Sequence, residues 1–148
     1  MEKMNWNYIA GFFDGEGSIS VSRVKGNNPP ERIQYCLRIR IYNSEISVLK
    51  KIKSFLNYGK IYINHRLIGH NLVYELSIIK KLEVKEFLDK IKDLVMLKKS
   101  QIDFVLNNYD FQFRKSNKYF DIDKFRGFIN RKNMDKLRKN HTIKLGEK

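Results

Sequence analysis

The chain has 148 residues and a formal net charge of +14, from 30 Lys and Arg against 16 Asp and Glu. With 42% hydrophobic and 13% aromatic residues, residues 1–148 are expected to fold as one domain, with a basic tail over 138–148. No apolar run approaches the roughly 20 residues of a membrane span, and no signal-peptide pattern is present. A charge excess of this size indicates a nucleic-acid partner more than an anionic membrane surface.

The cysteine content indicates whether the protein functions in a reducing or an oxidising compartment. The single cysteine, Cys36, excludes an internal disulfide and fits a reducing, intracellular environment. A prokaryotic (archaeal) cytoplasm and an organelle both satisfy that expectation.

The first predicted element is a short apolar helix, Asn5–Asp14, followed at once by an acidic, glycine-rich sequence. Asn5 is a suitable N-cap, and Gly15 and Gly17 are predicted to end the helix because glycine adopts positive φ easily. Gly11 and Gly15 stand four residues apart on one face, which would let a second helix approach closely. An ordinary core helix that ends in glycines explains the same spacing equally well.

A predicted β-hairpin follows. It joins Ser18–Val24 to Ile33–Tyr42, the clearest period-two segment of the chain, across a loop at 25–30. One side of the second strand is apolar, and the other presents Gln, Cys, Arg, Arg and Tyr. A solvated sheet face is the ordinary fate of such residues, but two arginines on a strand of a strongly basic protein favour contact with DNA.

The remaining elements complete an α+β pattern. The predictions in chain order are a helix at Ser44–Leu56, a strand at Lys60–Arg66, a turn at His65–Asn71, a strand through Tyr74, Leu76 and Ile78, and helices at Glu83–Leu97, Gln101–Asn108 and Asp121–Leu137. This order predicts one antiparallel four-stranded sheet with helices on one face and a concave, open second face. The polar side chains expected on the open face, as candidates for contact with base edges, are Ser20, Ser22, Gln34, Arg38, Arg40, Lys60, Tyr62, Asn64 and Glu75.

The segment Ile9–Gly17 (IAGFFDGEG) resembles the LAGLIDADG motif of homing endonucleases, with conservative aromatic and Gly/Glu replacements. The predicted element order also matches the αββαββα order of that family's fold over about the first two thirds of the chain. The resemblance implies a site-specific double-strand DNA endonuclease that depends on Mg²⁺, with Mn²⁺ as a substitute, and that promotes intron homing. A single motif copy implies a homodimer acting on a near-palindromic target. Free-standing length favours an intron over an intein as the origin.

The resemblance also implies roles for individual residues. Glu16 matches the last acid of the motif and is therefore the predicted metal ligand and catalytic residue, with the Gly15 carbonyl as a second ligand. Asp14 is predicted to stabilise the local structure of the motif. Lys98 matches a basic residue near the scissile phosphate, where it would polarise water or stabilise the pentavalent phosphate.

Other matched positions depart from the family pattern or lie near the edges of the predicted site. Asn43 falls on a position that often holds a water-orienting Gln, and Ser47 falls on one that is often basic.

The residues predicted for the dimer interface are Ile9, Ala10, Gly11, Phe12, Phe13 and Asp14. In the basic tail, Arg138 and Lys139 are predicted phosphate contacts, and a solvated tail is nearly as good an interpretation.

Alternative functions follow from the same family. An inactive relative would act as an intron RNA splicing cofactor (maturase), with intron RNA as a further partner, or as a DNA-binding regulator. The presence of Glu16, Gly15 and Lys98 argues against lost catalysis. The dispersed histidines, His65, His70 and His141, lack the clustering of an HNH nuclease, and with one cysteine they do not predict a structural zinc site.

Overall fold

A computed structural model describes residues 3–25, 33–64, 72–109 and 111 of the chain. Its elements are helix α1 (Trp6–Glu16), strands β1 (Gly17–Lys25) and β2 (Ile33–Asn43), helix α2 (Ile46–Leu56), strands β3 (Lys60–Asn64) and β4 (Val73–Ile78), and helices α3 (Lys81–Ile91) and α4 (Lys99–Asn108). The four strands form one antiparallel sheet in the order β1-β2-β4-β3. The predicted α+β order and four-stranded sheet are therefore confirmed.

Several predictions concern parts of the chain outside the described residues. They are the loop at 26–30, the turn at His65–Asn71, the helix at Asp121–Leu137, His141 and the tail residues Arg138 and Lys139. No helix within the described ranges has the length and apolar character needed to cross a membrane.

Apolar alternation along the strands places the core on one face of the sheet. Directly paired residues share a face, and Ile39 on β2 pairs with Ile19 on β1 and Ile78 on β4, all three almost fully buried. Helices α1, α2 and α3 pack on this face. The buried residues that they contribute are Ile9, Ala10, Phe13, Leu49, Ile52, Leu56, Val84, Phe87, Leu88 and Ile91. The alternate strand positions consequently form an open, polar face.

Helix α1 extends further than predicted. Asn5 is the N-cap, and its Oδ1 accepts a hydrogen bond from the Tyr8 N–H at 2.9 Å. At the other end Gly15 and Glu16 are helical, and Gly17 has a φ of −93°, so the prediction that positive φ ends this helix is wrong. Gly17 is needed for space instead: a Cβ there would overlap Cδ2 and Cε2 of the buried Phe13 ring and lie 2.7 Å from the Phe13 carbonyl oxygen.

Helix α3 ends earlier than predicted, at Ile91 rather than at Leu97. Two successive backbone N–H groups, those of Leu94 and Val95, both donate to the Ile91 carbonyl, at 2.9 and 3.2 Å. The backbone then leaves the helix and forms a turn, residues 96–98, that leads into α4. The backbone N–H groups of this turn donate to a side chain of α1, far away in the sequence. That side chain belongs to the candidate site.

Candidate active site and nucleic-acid interface

The side chain of Asp14, in the last turn of α1, binds the turn that precedes α4. Its Oδ2 accepts the Met96 N–H at 2.9 Å, its Oδ1 accepts the Lys98 N–H at 2.9 Å, and the Leu97 N–H lies 3.0 Å from both oxygens. Burial raises the pKa of the Asp14 carboxyl, but the three N–H donors and the Lys98 charge together outweigh burial and hold that pKa below its ordinary value of 3.8. An ionised carboxylate therefore joins α1 to the start of α4.

The ammonium group of Lys98 lies at the C-terminal end of α1. Its Nζ donates to the Asp14 carbonyl oxygen at 2.7 Å and lies 5.8 Å from the centroid of the Phe13 ring. The last carbonyls of a helix lack intrahelical partners and form the negative end of the helix dipole, so a cation is stabilised there. Lys98 is buried although it is charged, at 9% exposure, which indicates a defined position rather than a solvated one.

The same end of α1 presents the two predicted metal ligands. Glu16 is the last residue of the helix and Gly15 precedes it, and both are exposed. Asn43, the last residue of β2, lies at the same end of the sheet, because Ile41 of β2 pairs with Gly17. The structure thus brings Gly15, Glu16 and Lys98 together, with Asn43 on the neighbouring strand.

Asn43, the residue predicted to orient a water, is held in place by a local hydrogen bond. Asn43 Oδ1 accepts a hydrogen bond from the Glu45 N–H at 2.7 Å, and Ser47 Oγ donates to Glu45 Oε1 at 2.9 Å. This arrangement fixes the Asn43 amide through its oxygen. The donor side of the amide, Nδ2, is what Asn43 can offer to a water or a phosphate.

The oxygen donors at this end suit a hard divalent cation. The Glu16 carboxylate and the Gly15 carbonyl are ligands of the type that Mg²⁺ prefers. Among the described residues no group of three or more His, Cys, Asp or Glu side chains could hold a metal ion. Since Mg²⁺ commonly keeps several waters and binds substrate phosphates, two protein oxygens fit an ion shared with a substrate, not an all-protein cage.

The open face of the sheet carries the predicted polar set. One row across the four strands consists of Ser18, Arg40, Ser77 and Lys60, a second of Ser20 and Arg38, and a third of Tyr42, Glu75 and Tyr62. Asn64 lies further along β3, opposite Val73. Ser22 and Gln34 lie in β1 and β2, where only the backbone is described.

Several buried polar atoms on this face make no hydrogen bond to any described residue. Ser20 Oγ, Arg38 Nε, Arg40 Nε and Ser77 Oγ are buried, and none of them has a hydrogen-bond partner within the described structure. Leaving such a group unsatisfied costs about 1–3 kcal/mol, and native proteins rarely do so. A ligand along the sheet would reach these four atoms only after the side chains rearrange, because protein atoms already cover them.

The residues predicted for a dimer interface fall into two groups. Ile9, Ala10 and Phe13 have no exposed surface because they pack into the protomer's own core, so the protomer offers no surface of these three residues to a second chain. The Asp14 carboxylate is likewise engaged within the protomer.

The free face of α1 is formed by other residues of the same helix. Gly11 is exposed, and a Cβ there would have nothing within 4 Å. Phe12 is half-buried and stacks on the exposed ring of Tyr8, with centroids 6.0 Å apart. Gly15 is as open as Gly11. This stripe of small and aromatic residues, Tyr8, Gly11, Phe12 and Gly15, is the face that a second helix can reach.

Comparison with known proteins agrees with this arrangement. The sequence profile described as LAGLIDADG endonuclease matches residues 9–109. No curated protein sequence matches the chain.

The fold is similar to solved structures of homing endonucleases. The homing endonuclease I-CvuI, in complex with the I-CreI target in the presence of 2 mM Mg, is 21% identical with a TM-score of 0.57 over 69% of this chain and 63% of that chain. The archaeal intron-encoded homing endonuclease I-Vdi141I, complexed with DNA, is 20% identical with a TM-score of 0.57 over 87% and 96%. The homing endonuclease I-TnaI is 25% identical with a TM-score of 0.56 over 72% and 74%. The chain thus spans less than two thirds of the length of I-CvuI.

Proposed function

Because the chain belongs to the LAGLIDADG endonuclease family, we propose that it is a site-specific endonuclease that cuts both strands of a long, near-palindromic DNA as a homodimer and so promotes intron homing. The observation that carries this proposal is the convergence of Glu16, Gly15 and Lys98 at one end of α1, beside an open sheet face rich in polar groups. Phosphodiester hydrolysis needs charge neutralisation and an activated water beside a surface that positions DNA.

Each residue at this end has a proposed role. Glu16 and the Gly15 carbonyl would hold Mg²⁺, with Mn²⁺ as a substitute, and the bound ion would activate water and stabilise charge on the phosphate. Structures of the similar I-CvuI were obtained with Mg or with Ca, which supports a divalent ion. Lys98 would place its ammonium against the developing charge of the phosphate. Asn43 would orient a water through Nδ2.

The sheet is the proposed DNA-binding surface. A two-stranded β-ribbon fits the major groove, where Arg, Lys, Ser and Asn side chains can read base edges. Ser22 and Gln34 would extend this surface along β1 and β2, and Arg138 and Lys139 would contact phosphates. The net charge of +14 predicts binding that weakens steeply as salt rises.

A homodimer would supply a second copy of Glu16 for the second DNA strand. We place its interface on Tyr8, Gly11, Phe12 and Gly15, where two α1 helices can approach closely. Met96 and Leu97, exposed at 87% and 74%, are held by Asp14 at the end of the same helix and would enlarge the apolar contact. A surface of this kind is ordinarily covered by a partner.

Gly11→Leu is expected to convert the dimer into a folded monomer. The protomer has open space at this position and leucine favours helix over glycine, so the fold should be kept while two helices can no longer approach. Sedimentation velocity and circular dichroism measure the two properties separately. Ser54→Leu adds the same side chain to an exposed position of α2 and should leave the dimer intact. A Gly11→Leu protein that remains dimeric would place the interface elsewhere.

Selection from a randomised library of near-palindromic duplexes tests the function as a whole. Wild-type protein with Mg²⁺ is expected to select one long site and to cut both strands. Selective retention of a site without cutting in Mg²⁺ or Mn²⁺ would instead identify a DNA-binding regulator. Retention of intron RNA without retention of any duplex would identify a splicing cofactor.

A further inference from the structure

Two oppositely charged side chains meet on the two central strands of the open face. Arg40 lies on β2 and Glu75 on β4, and the closest contact joins Arg40 Nε to Glu75 Oε1 at 3.4 Å. Arg40 pairs across the ladder with Ser77, and Glu75 pairs with Tyr42, so the two charges are diagonal neighbours on one face. Their side chains are only 24% and 15% exposed, so both are partly removed from water before any ligand binds.

The contact restrains one edge of the guanidinium group. Arg40 Nε is buried and within ion-pair distance of the carboxylate, although their geometry does not make a hydrogen bond. A guanidinium group that faces an acid through Nε still carries N–H donors on its two terminal nitrogens. Two such donors match the O6 and N7 acceptors of guanine in the major groove, which is the commonest specific contact between a protein and a base.

Glu75 is the acidic partner of Arg40 on this face. It is the one acid on the described part of the open face, where the other charged side chains are Arg38, Arg40 and Lys60. A carboxylate on a DNA-binding surface faces repulsion from phosphates and weakens binding unless it is neutralised. Arg40 neutralises it, and the carboxylate in turn limits the positions that a long, flexible arginine can take.

We propose that Arg40 reads one guanine in each half of the target and that Glu75 is the positioning residue that orients Arg40 for this contact. The proposal rests on the DNA-binding function proposed above and adds a specific base preference to it. Arg38 provides an internal reference, because it lies two residues away on the same strand and face. Its Nε is also buried without a hydrogen-bond partner, and the described residues give it no ion-pair partner.

The experiment compares Arg40→Lys, Glu75→Gln, their double mutant and Arg38→Lys. Each protein is titrated in Ca²⁺ against the selected target and every single base-pair variant of it, so that binding is measured without cleavage. Arg40→Lys keeps the charge but loses the planar fork, and it is expected to lower the preference for guanine at one position per half-site by about 5- to 100-fold. Glu75→Gln is expected to lower preference at that same position by about 2- to 5-fold.

The reference variant and the double mutant separate positioning from other roles. Arg38→Lys should affect a different position, about two base pairs away, because two residues of a strand and two steps of B-DNA both span about 7 Å. In the Arg40→Lys protein, the added Glu75→Gln substitution should cause no further loss of the preference for guanine. A Glu75→Gln effect that persists in the Arg40→Lys protein, that falls on another base pair, or that lowers affinity equally for all sequences would overturn the proposal. Wild-type protein that retains no duplex at all would instead overturn the DNA-binding function.

Discussion

Glu16→Gln is expected to reduce cleavage of the selected target by more than about 100-fold while the protein still binds that target. The substitution keeps the size of the side chain and removes the exposed carboxylate at the end of α1, while the Asp14 carboxylate of the same helix stays bound to backbone N–H groups. Binding should persist because the sheet residues that face DNA lie on other elements. Cleavage rates on the duplex in Mg²⁺, together with binding in Ca²⁺, measure the two effects separately.

Glu16→Gln should increase the thermal stability of the protein, although it lowers the cleavage rate. In the proposed dimer two Glu16 carboxylates lie at the ends of adjacent α1 helices, where like charges repel and the helix dipole adds to the unfavourable field. Without divalent ions Glu16→Gln should therefore raise the thermal midpoint, and added Mg²⁺ should raise that of wild type more than that of the variant. Glu86→Gln, at an exposed position of α3, is the matched control and should change neither cleavage nor the response to Mg²⁺. Cleavage by Glu16→Gln at the wild-type rate would show that Glu16 is not a catalytic residue.

Local sequence patterns were sufficient to predict most of the fold. Alternation in β2 puts Leu37, Ile39 and Ile41 on the core face, and the register confirms that Arg38 and Arg40 lie opposite. Helix and strand periods also gave the order of the first six elements, because each element is amphipathic within its own length. The position of Lys98 beside the motif helix came from the family resemblance rather than from any local pattern.

The errors concern contacts between residues that are distant in the sequence. An apolar face on a helix does not specify whether its own sheet or a second chain will cover it, so the sequence alone does not distinguish core residues such as Ile9, Ala10 and Phe13 from residues of a dimer interface. The apolar helical period continues through Leu94 and Val95 and therefore predicts a longer α3. The N–H groups that follow donate instead to the charged Asp14 carboxylate, and α3 ends at Ile91. The ion pair between Arg40 and Glu75 depends on strand order, which places β4 rather than β3 beside β2.

Asp14→Asn is expected to lower the free energy of unfolding by about 2–4 kcal/mol at neutral pH. The carboxylate accepts the N–H groups of Met96, Leu97 and Lys98, and an amide provides one weaker acceptor in its place. The loss should also release the start of α4, and with it the ammonium that binds the Asp14 carbonyl. Cleavage should therefore fall even under conditions where the variant is fully folded. Urea unfolding followed by tryptophan fluorescence and circular dichroism measures the change in stability.

The pH dependence identifies the charge of Asp14 as the cause of this stabilisation. The hydrogen bonds hold the pKa of the folded carboxyl below its ordinary value of 3.8, so the stabilisation is fully present above that value and is lost as the pH falls through the lower, folded pKa. The difference in unfolding free energy between wild type and Asp14→Asn should accordingly be constant near neutral pH and should narrow as the pH falls below 3.8. Asp103→Asn, in α4, is the matched control because no hydrogen bond or ion pair among the described residues involves that carboxyl. A difference for Asp14→Asn that stays constant down to the acid transition would show that the side chain stabilises by packing alone, whereas a narrowing difference assigns the stability to the ionised carboxylate that joins α1 to α4.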